Sequence, residues 1–299
     1  IPLEIEGMTY DIYDFVGNGT NDSFGYGPAV AGITDYLTAV YETGYAYKDL
    51  QGIVIPIDEK NSYHRPIKTS FYDLEPDEFY FGALLQAHGI SARCSKDKNM
   101  RVEVVVLSAG SVYNYTDEEL CLLFANNHVI LEGKAATLLI ERGLGCLFGG
   151  ESYQVYASEN DIQAYEQIEG DILVNGIPGY RASAFSRTGD YVAIQYSKKP
   201  CVKSRVYDYR QEEIGYGSVV SKGHLIVPYV VDQLYLDQLH PLRGKIVCDY
   251  LESYGKNIVR TNYANVYAYF AKGDKNILIL VNTTLNTLPV TKFKLLGEQ

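Results

Sequence analysis

The sequence contains no tryptophan and only two methionines in 299 residues, and its cysteines are too few and too scattered for a disulfide framework. Cys94, Cys121, Cys146, Cys201 and Cys248 are odd in number and form no CxxC pair, which points to a reducing, cytoplasmic setting. The five histidines, His64, His88, His128, His224 and His240, never fall at HxxxH or HExxH spacing. No local metal signature exists, so neither a metal nor a cofactor is expected. No apolar run approaches the ~18 residues that cross a bilayer, so no membrane partner is expected. Basic residues are the minority, 26 against 37 acidic, and the net charge of −11 argues against nucleic acid. Internal repeats and low-complexity tracts are also missing.

What is present is an ordinary globular composition, 46% hydrophobic and 21% charged, with room for roughly two domains at ~150 residues each. The unusual feature is 28 tyrosines beside 10 phenylalanines. Tyr63, Tyr72, Tyr80, Tyr113, Tyr115, Tyr207 and Tyr209 lie in polar contexts. Tyrosine faces stack on sugar rings or form protein interfaces, and some of these rings can equally be core filler. The first residues, Ile1-Pro2-Leu3-Glu4, carry neither an initiator methionine nor the regions of a signal peptide, so the chain is expected to be a piece of a longer protein.

Along the chain, Val30, Ile33, Leu37, Val40 and Tyr41 recur at helical spacing behind Pro28, and Gly44 can close that helix. Gly52 to Ile57 reads as a buried strand and Pro76 to Gly89 as a helix with Phe81, Leu84, Leu85 and His88 on one face. Val102 to Leu107 is the next strand, followed by a small-residue turn, Ser108-Ala109-Gly110-Ser111. Thr116 with Glu119 forms a capping box that fixes a helix start. His128 to Leu131 is a third strand, and Ala135 to Arg142 a helix that Gly143 stops. Strand and helix alternate, so parallel strands with crossover helices, an α/β domain, are expected. Between about 150 and 222 short β-like runs take over, including Asp171–Val174, Tyr191–Tyr196 and Arg205–Tyr209. The α/β pattern resumes with a strand at His224–Tyr229 and a helix that starts at Pro241. A hairpin, 266–271 with 276–281, and a strand from Val290 to Leu295 close the chain as a small β unit. Three strands bury little alone, so this unit must pack on the α/β part or on a partner.

Candidates for chemistry are few. Gly17 to Ser23 is a polar glycine-rich loop, but no strand leads into it and no Lys-Ser/Thr follows, so a phosphate cradle is not indicated. Cys146, set between Gly145 and Leu147, invites comparison with a nucleophile elbow. It follows a helix instead of a strand, and a small buried hydrophobe is the reading its context favours. Asp77-Glu78, Asp117-Glu118-Glu119 and Glu212-Glu213 read as first-turn helix charges or solvated loop charges. The Asn-x-Ser/Thr triplets at Asn18, Asn21, Asn114 and Asn282 read as chance occurrences. The one ligand-binding candidate is Ser108, Gly110 and Ser111, placed after the carboxyl end of a parallel strand, where open α/β sheets bind ligands. A purely structural turn remains the alternative.

The order of parts supports a resemblance. Val104-Val105-Val106-Leu107-Ser108-Ala109-Gly110-Ser111, Thr116-Asp117-Glu118-Glu119-Leu120, Ile130 to Ala136 and Glu141 to Gly145 are similar to the amidotransferase-like domain of glycoside hydrolases related to the family 42 β-galactosidases. The ending, Asn265 to Phe270 with Ile277 to Thr284, resembles the small C-terminal β domain of those enzymes. The resemblance implies an amidotransferase-like, flavodoxin-like sheet over residues 49–258 with a β-rich insertion at about 150–222. A C-terminal β domain over 259–299 and an N-terminal extension over 1–48, a remnant of a preceding barrel, complete the expected organisation.

In that family the catalytic acid and nucleophile belong to a (β/α)₈ barrel, and the amidotransferase-like domain helps to build the oligomer. A barrel needs ~200 residues and has no room before residue 49. The expectation is therefore a non-catalytic region, with self-association and the missing barrel as its partners and no catalytic residue of its own. The alternative is a carbohydrate-binding module that uses exposed tyrosines.

Overall fold

A computed structural model describes residues 2–5, 8–11, 26–61, 77–160, 162–169, 173–174, 177–178, 181–183, 189–232, 236–283, 287–288 and 290–297. The chain divides into two compact units, Ile1–Asp49 and Leu50–Gln299. In the first, β1 (Pro2–Ile5) and β2 (Met8–Asp11) form an antiparallel pair, and α1 (Tyr26–Glu42) is the expected helix. Gly44, at φ +73°, ends it as the left-handed residue that glycine tolerates best. Leu37 and Tyr41, on the stripe read as apolar, are exposed. The Gly17–Ser23 loop lies outside the described residues.

The second unit opens with β3 (Leu50–Gln51), β4 (Ile53–Pro56), α2 (Asp77–Ala87), β5 (Ala92–Ser95) and β6 (Val104–Leu107). There follow α3 (Ala109–Asn114), α4 (Asp117–Asn126), β7 (His128–Leu131) and α5 (Gly133–Glu141). The β-rich stretch supplies β8 (Gly150–Tyr156), β9 (Gln163–Ile168), β10 (Leu173–Val174), β11 (Ile177–Pro178), β12 (Arg181–Ser183) and β13 (Tyr191–Tyr196). It continues as β14 (Cys201–Val202), β15 (Ser204–Asp208), β16 (Glu213–Tyr216) and β17 (Val219–Ser221). The last elements are β18 (His224–Ile226), α6 (Pro241–Tyr254), β19 (Ile258–Thr261), β20 (Val266–Ala271), β21 (Ile277–Asn282) and β22 (Phe293–Leu296).

Seven strands form the central sheet in the order β14-β17-β18-β7-β6-β4-β5. The five from β18 to β5 are parallel, and β14 and β17 add an antiparallel edge. Taken in chain order, the parallel strands run 2-1-3-4-5, the flavodoxin-like order. The fold class read from the sequence is the one observed. Fully apolar strands explain it: Val104 and Val106 face one core with α2 and α6, while Val105 and Leu107 face another with α3, α4 and α5. The capping box at α4 is complete, with Thr116 Oγ1 accepting from the Glu119 amide at 3.2 Å and Glu119 Oε2 accepting from the Thr116 amide at 2.8 Å.

The β-rich stretch builds a four-stranded antiparallel sheet, β12-β9-β15-β16, and the β8/β13 pair. The inner face of the four-stranded sheet, through Ile168, Ala182 and Val206, joins the core that α6 closes. Asp171 and Ile172, read as the start of a strand, lie outside the described residues. At the C-terminus, β20 pairs with β21 as the expected hairpin and also with β3, while β22 pairs with β19. The Ser91 amide donates to the Val259 carbonyl at 2.8 Å, which ties these strands to the α/β part as their small core requires.

Three expectations need correction. Ser108 to Ser111 is not a turn but the entry into α3, because Ser108 adopts extended backbone and accepts from the Ser111 amide as an N-cap. Cys146 is exposed, not a buried hydrophobe, since the chain leaves α5 and passes through a one-turn 3₁₀ segment, Gly145–Leu147, at the surface. Glu78 lies in the first turn of α2 as expected, yet it is buried instead of solvated.

Candidate functional site

The carboxyl ends of β4 and β6 are neighbours on either side of the point where the strand order reverses, the position at which sheets of this kind bind ligands. Ser108, Gly110 and Ser111 are brought to that point. Ser108 and Ser111 are 1% and 2% exposed, and both hydroxyls turn inward. Ser111 Oγ donates to the Pro56 carbonyl at 3.1 Å and lies 3.3 Å from Ser108 Oγ. One serine caps α3 and the other pins α3 to the end of β4.

Three residues that sequence reasoning missed complete this corner. Asn61 Nδ2 donates to Glu78 Oε1 at 2.5 Å, and Asn114 Nδ2 donates to Asn61 Oδ1 and to the Gly110 carbonyl, the latter at 3.2 Å. A Cβ on Gly110 would approach Asn61 Cβ to 3.2 Å, so the close fit of this layer favours glycine. Asn114, one of the triplet asparagines, is thus engaged inside the fold. Within this group of six, Glu78 is the one ionisable side chain. The arrangement can orient hydrogen bonds, but it pairs no nucleophile with a base.

A second polar cluster lies beneath α6. Glu166 on β9 is fully buried, and its Oε2 accepts from Arg243 Nε at 2.9 Å. Ser204 donates its hydroxyl to Glu166 Oε1 and accepts from the Ser218 amide at 2.6 Å. Arg243 Nη1 donates to the Asp237 carbonyl at 2.5 Å, and its guanidinium lies 5.0 Å from the centre of the Tyr229 ring. Burial pushes the Tyr229 phenol far above its ordinary range, so it stays protonated. Burial also pushes His88 and His224 down to about 4 and the Cys248 thiol up to about 11. Among the described residues no group of three or more His, Cys, Asp or Glu is placed to hold a metal ion.

The tyrosines separate by environment. Tyr80 and Tyr115 are buried, whereas Tyr113 and Tyr209 are exposed, Tyr209 to 68%. Tyr207 stacks on Tyr165 at 5.1 Å between ring centres, and Arg181 lies 4.5 Å over Tyr165 from the other neighbouring strand. Arg205, on the same face, bonds Glu169 at 2.5 Å and Glu213 at 2.6 Å. Tyr63 and Tyr72 lie outside the described residues.

These observations define an α/β protein with a flavodoxin-like parallel sheet and added antiparallel β structure. No protein-family model matches the chain, and no curated protein matches it in sequence. Among solved structures, the α-L-fucosidase isoenzyme 2 from Paenibacillus thiaminolyticus is similar, with a TM-score of 0.53 at 14% identity over 82% of this chain and 42% of that chain. A catalytic mutant of a GH42 β-galactosidase from G. stearothermophilus gives a TM-score of 0.47 at 10% identity, over 77% of this chain and 34% of that one. At such identities the likeness concerns the fold alone. The chain spans less than half of either hydrolase.

Proposed function

We propose that this chain is a non-catalytic accessory region of a bacterial glycoside hydrolase, that it acts in oligomer assembly, and that the catalytic carboxylates lie in a barrel outside it. One observation carries the reading: 82% of the chain follows the fold of 42% of a fucosidase, as a region that accompanies a larger catalytic part would. The amidotransferase-like resemblance of 104–145 and the β-unit resemblance of 265–284 support it from the sequence. Sedimentation of the chain tests the assembly role. A defined oligomer is expected, and a monomer, both for this chain and for a longer chain that contains it, would remove that role.

A second reading, sugar binding, is favoured by the outer face of the four-stranded sheet. Tyr165 is flanked by Arg181 and Tyr207, whereas Tyr209, in the turn that follows β15, is the more exposed ring, with the Arg210 guanidinium 5.8 Å from its centre. Stacking of one ring on a sugar contributes on the order of 1 kcal/mol, comparable to other aromatic pairs. Calorimetric titration with galactosides should then show saturable binding that Tyr209→Ala weakens about fivefold to tenfold, since 1.4 kcal/mol is tenfold in affinity. Absence of saturable heat would leave assembly as the function.

A further inference from the structure

A cavity of about 220 Å³ opens where the first half of α6 faces the end of β19 and the residues after it. Its size is many times the ~10–15 Å³ that admits one water, enough for a compact ligand. His88, Gly244, Lys245, Cys248, Arg260 and Asn262 are among the residues that line it. Gly244 is needed for this shape: a Cβ there would fall 2.4 Å from His88 Nδ1, so the imidazole lies against bare helix backbone. His88 Nε2 faces the Gln238 carbonyl at 3.1 Å, and the ring is neutral near pH 7.

The charges around this cavity run against the rest of the protein. The lining holds two cations, Lys245 and Arg260, and no carboxylate, in a chain of net charge −11. Lys245 pairs with Asp249, and Arg260 Nη1 bonds Glu252 at 3.0 Å. Glu252 also takes Lys294 at 3.3 Å, so one carboxylate serves two cations and three cations stand against two carboxylates. These are partly exposed surface pairs, worth about 0–1 kcal/mol each, so an entering anion can compete with Asp249 and Glu252 for the two lining cations. Cys248 adds no negative charge, because its thiol stays protonated at neutral pH. Walls that are otherwise uncharged at neutral pH, with two cations in the lining, are complementary to a small oxyanion.

We propose that this cavity is a binding site for a small anionic ligand, a carboxylate or a phosphate, held between Lys245 and Arg260. The site is separate from the strand-order reversal at Ser108, and it does not depend on the accessory role proposed above. Calorimetric titration with inorganic phosphate and with malonate, at constant ionic strength and with glucose as the uncharged control, tests it. Saturable binding of at least one anion and none of glucose is expected. Lys245→Gln and Arg260→Gln should each weaken that binding about tenfold, as loss of one charge-assisted hydrogen bond would. Their thermal midpoints without anion should match the parent. In the unmodified protein the anion should slow alkylation of Cys248 while leaving that of the exposed Cys121 and Cys201 unchanged. No saturable heat with either anion, equal binding by folded variants, or a Cys248 rate indifferent to the anion would overturn the proposal.

Discussion

At the scale of single residues, two buried histidines contribute to how this fold responds to acid. His88 and His224 are held neutral down to about 4, His88 chiefly by desolvation and His224 by desolvation with His128 and Lys222 nearby. In an unfolded chain both take up a proton near the ordinary value of about 6.5. The folded state therefore binds fewer protons between these values. The stabilisation is complete above pH ~6.5, declines as the pH falls towards ~4 and levels off below it, on the order of 3 kcal/mol for each histidine. Urea unfolding across that range should show His224→Gln losing about 1.4 kcal/mol per pH unit of the parent's slope. An unchanged slope in the variant would place the acid sensitivity elsewhere. His224 was legible only as the first residue of a strand. Its burial follows from the extra antiparallel strands and from Phe124, whose ring centre lies 4.9 Å away, and no local pattern encodes either.

At the scale of elements, strands that are apolar throughout were readable, and two strands with an arginine inside them were not. Val104–Leu107 and His128–Leu131 announce themselves as buried parallel strands. Ala92-Arg93-Cys94-Ser95 and Ile258-Val259-Arg260-Thr261 went unread, because the first is a half-exposed edge of the sheet and the second pairs with a strand far along the chain. The same limit applies to the candidate site. Ser108, Gly110 and Ser111 could be placed from their position after a strand, whereas Asn61 and Glu78 reach them only through the fold. Glu166 and Arg243 are 77 residues apart and meet only because the four-stranded sheet lies under α6. That meeting has a measurable weight. Removing one partner leaves a buried charge uncompensated, so Glu166→Ala should lower unfolding stability by about 3–5 kcal/mol. Replacing both, Glu166→Leu with Arg243→Met, should cost less than the single change, as apolar replacement of a buried pair commonly does. Single and double variants equal to the parent in urea midpoint would show that the pair does not join the sheet to the helix.

At the scale of the whole molecule, the α/β core and its antiparallel additions account for the composition met at the outset. The tyrosines divide between core rings such as Tyr191 and Tyr229, a stacked pair at Tyr165 and Tyr207, and exposed rings such as Tyr113 and Tyr209. Without tryptophan, tyrosine and phenylalanine share the core and the surface, with Phe81 and Phe148 buried and Phe79 and Phe293 exposed. The sequence order of strands and helices was enough for the fold class, since alternating apolar strands and amphipathic helices admit few layered arrangements. Function was less legible, because the assembly role proposed above would rest on a surface and not on a motif. The most direct measurement is the mass of the 33.5 kDa chain by sedimentation velocity at micromolar concentrations, alongside a longer chain that contains it. A species at two or more times that mass is predicted; a lone monomer in both would contradict the assembly role.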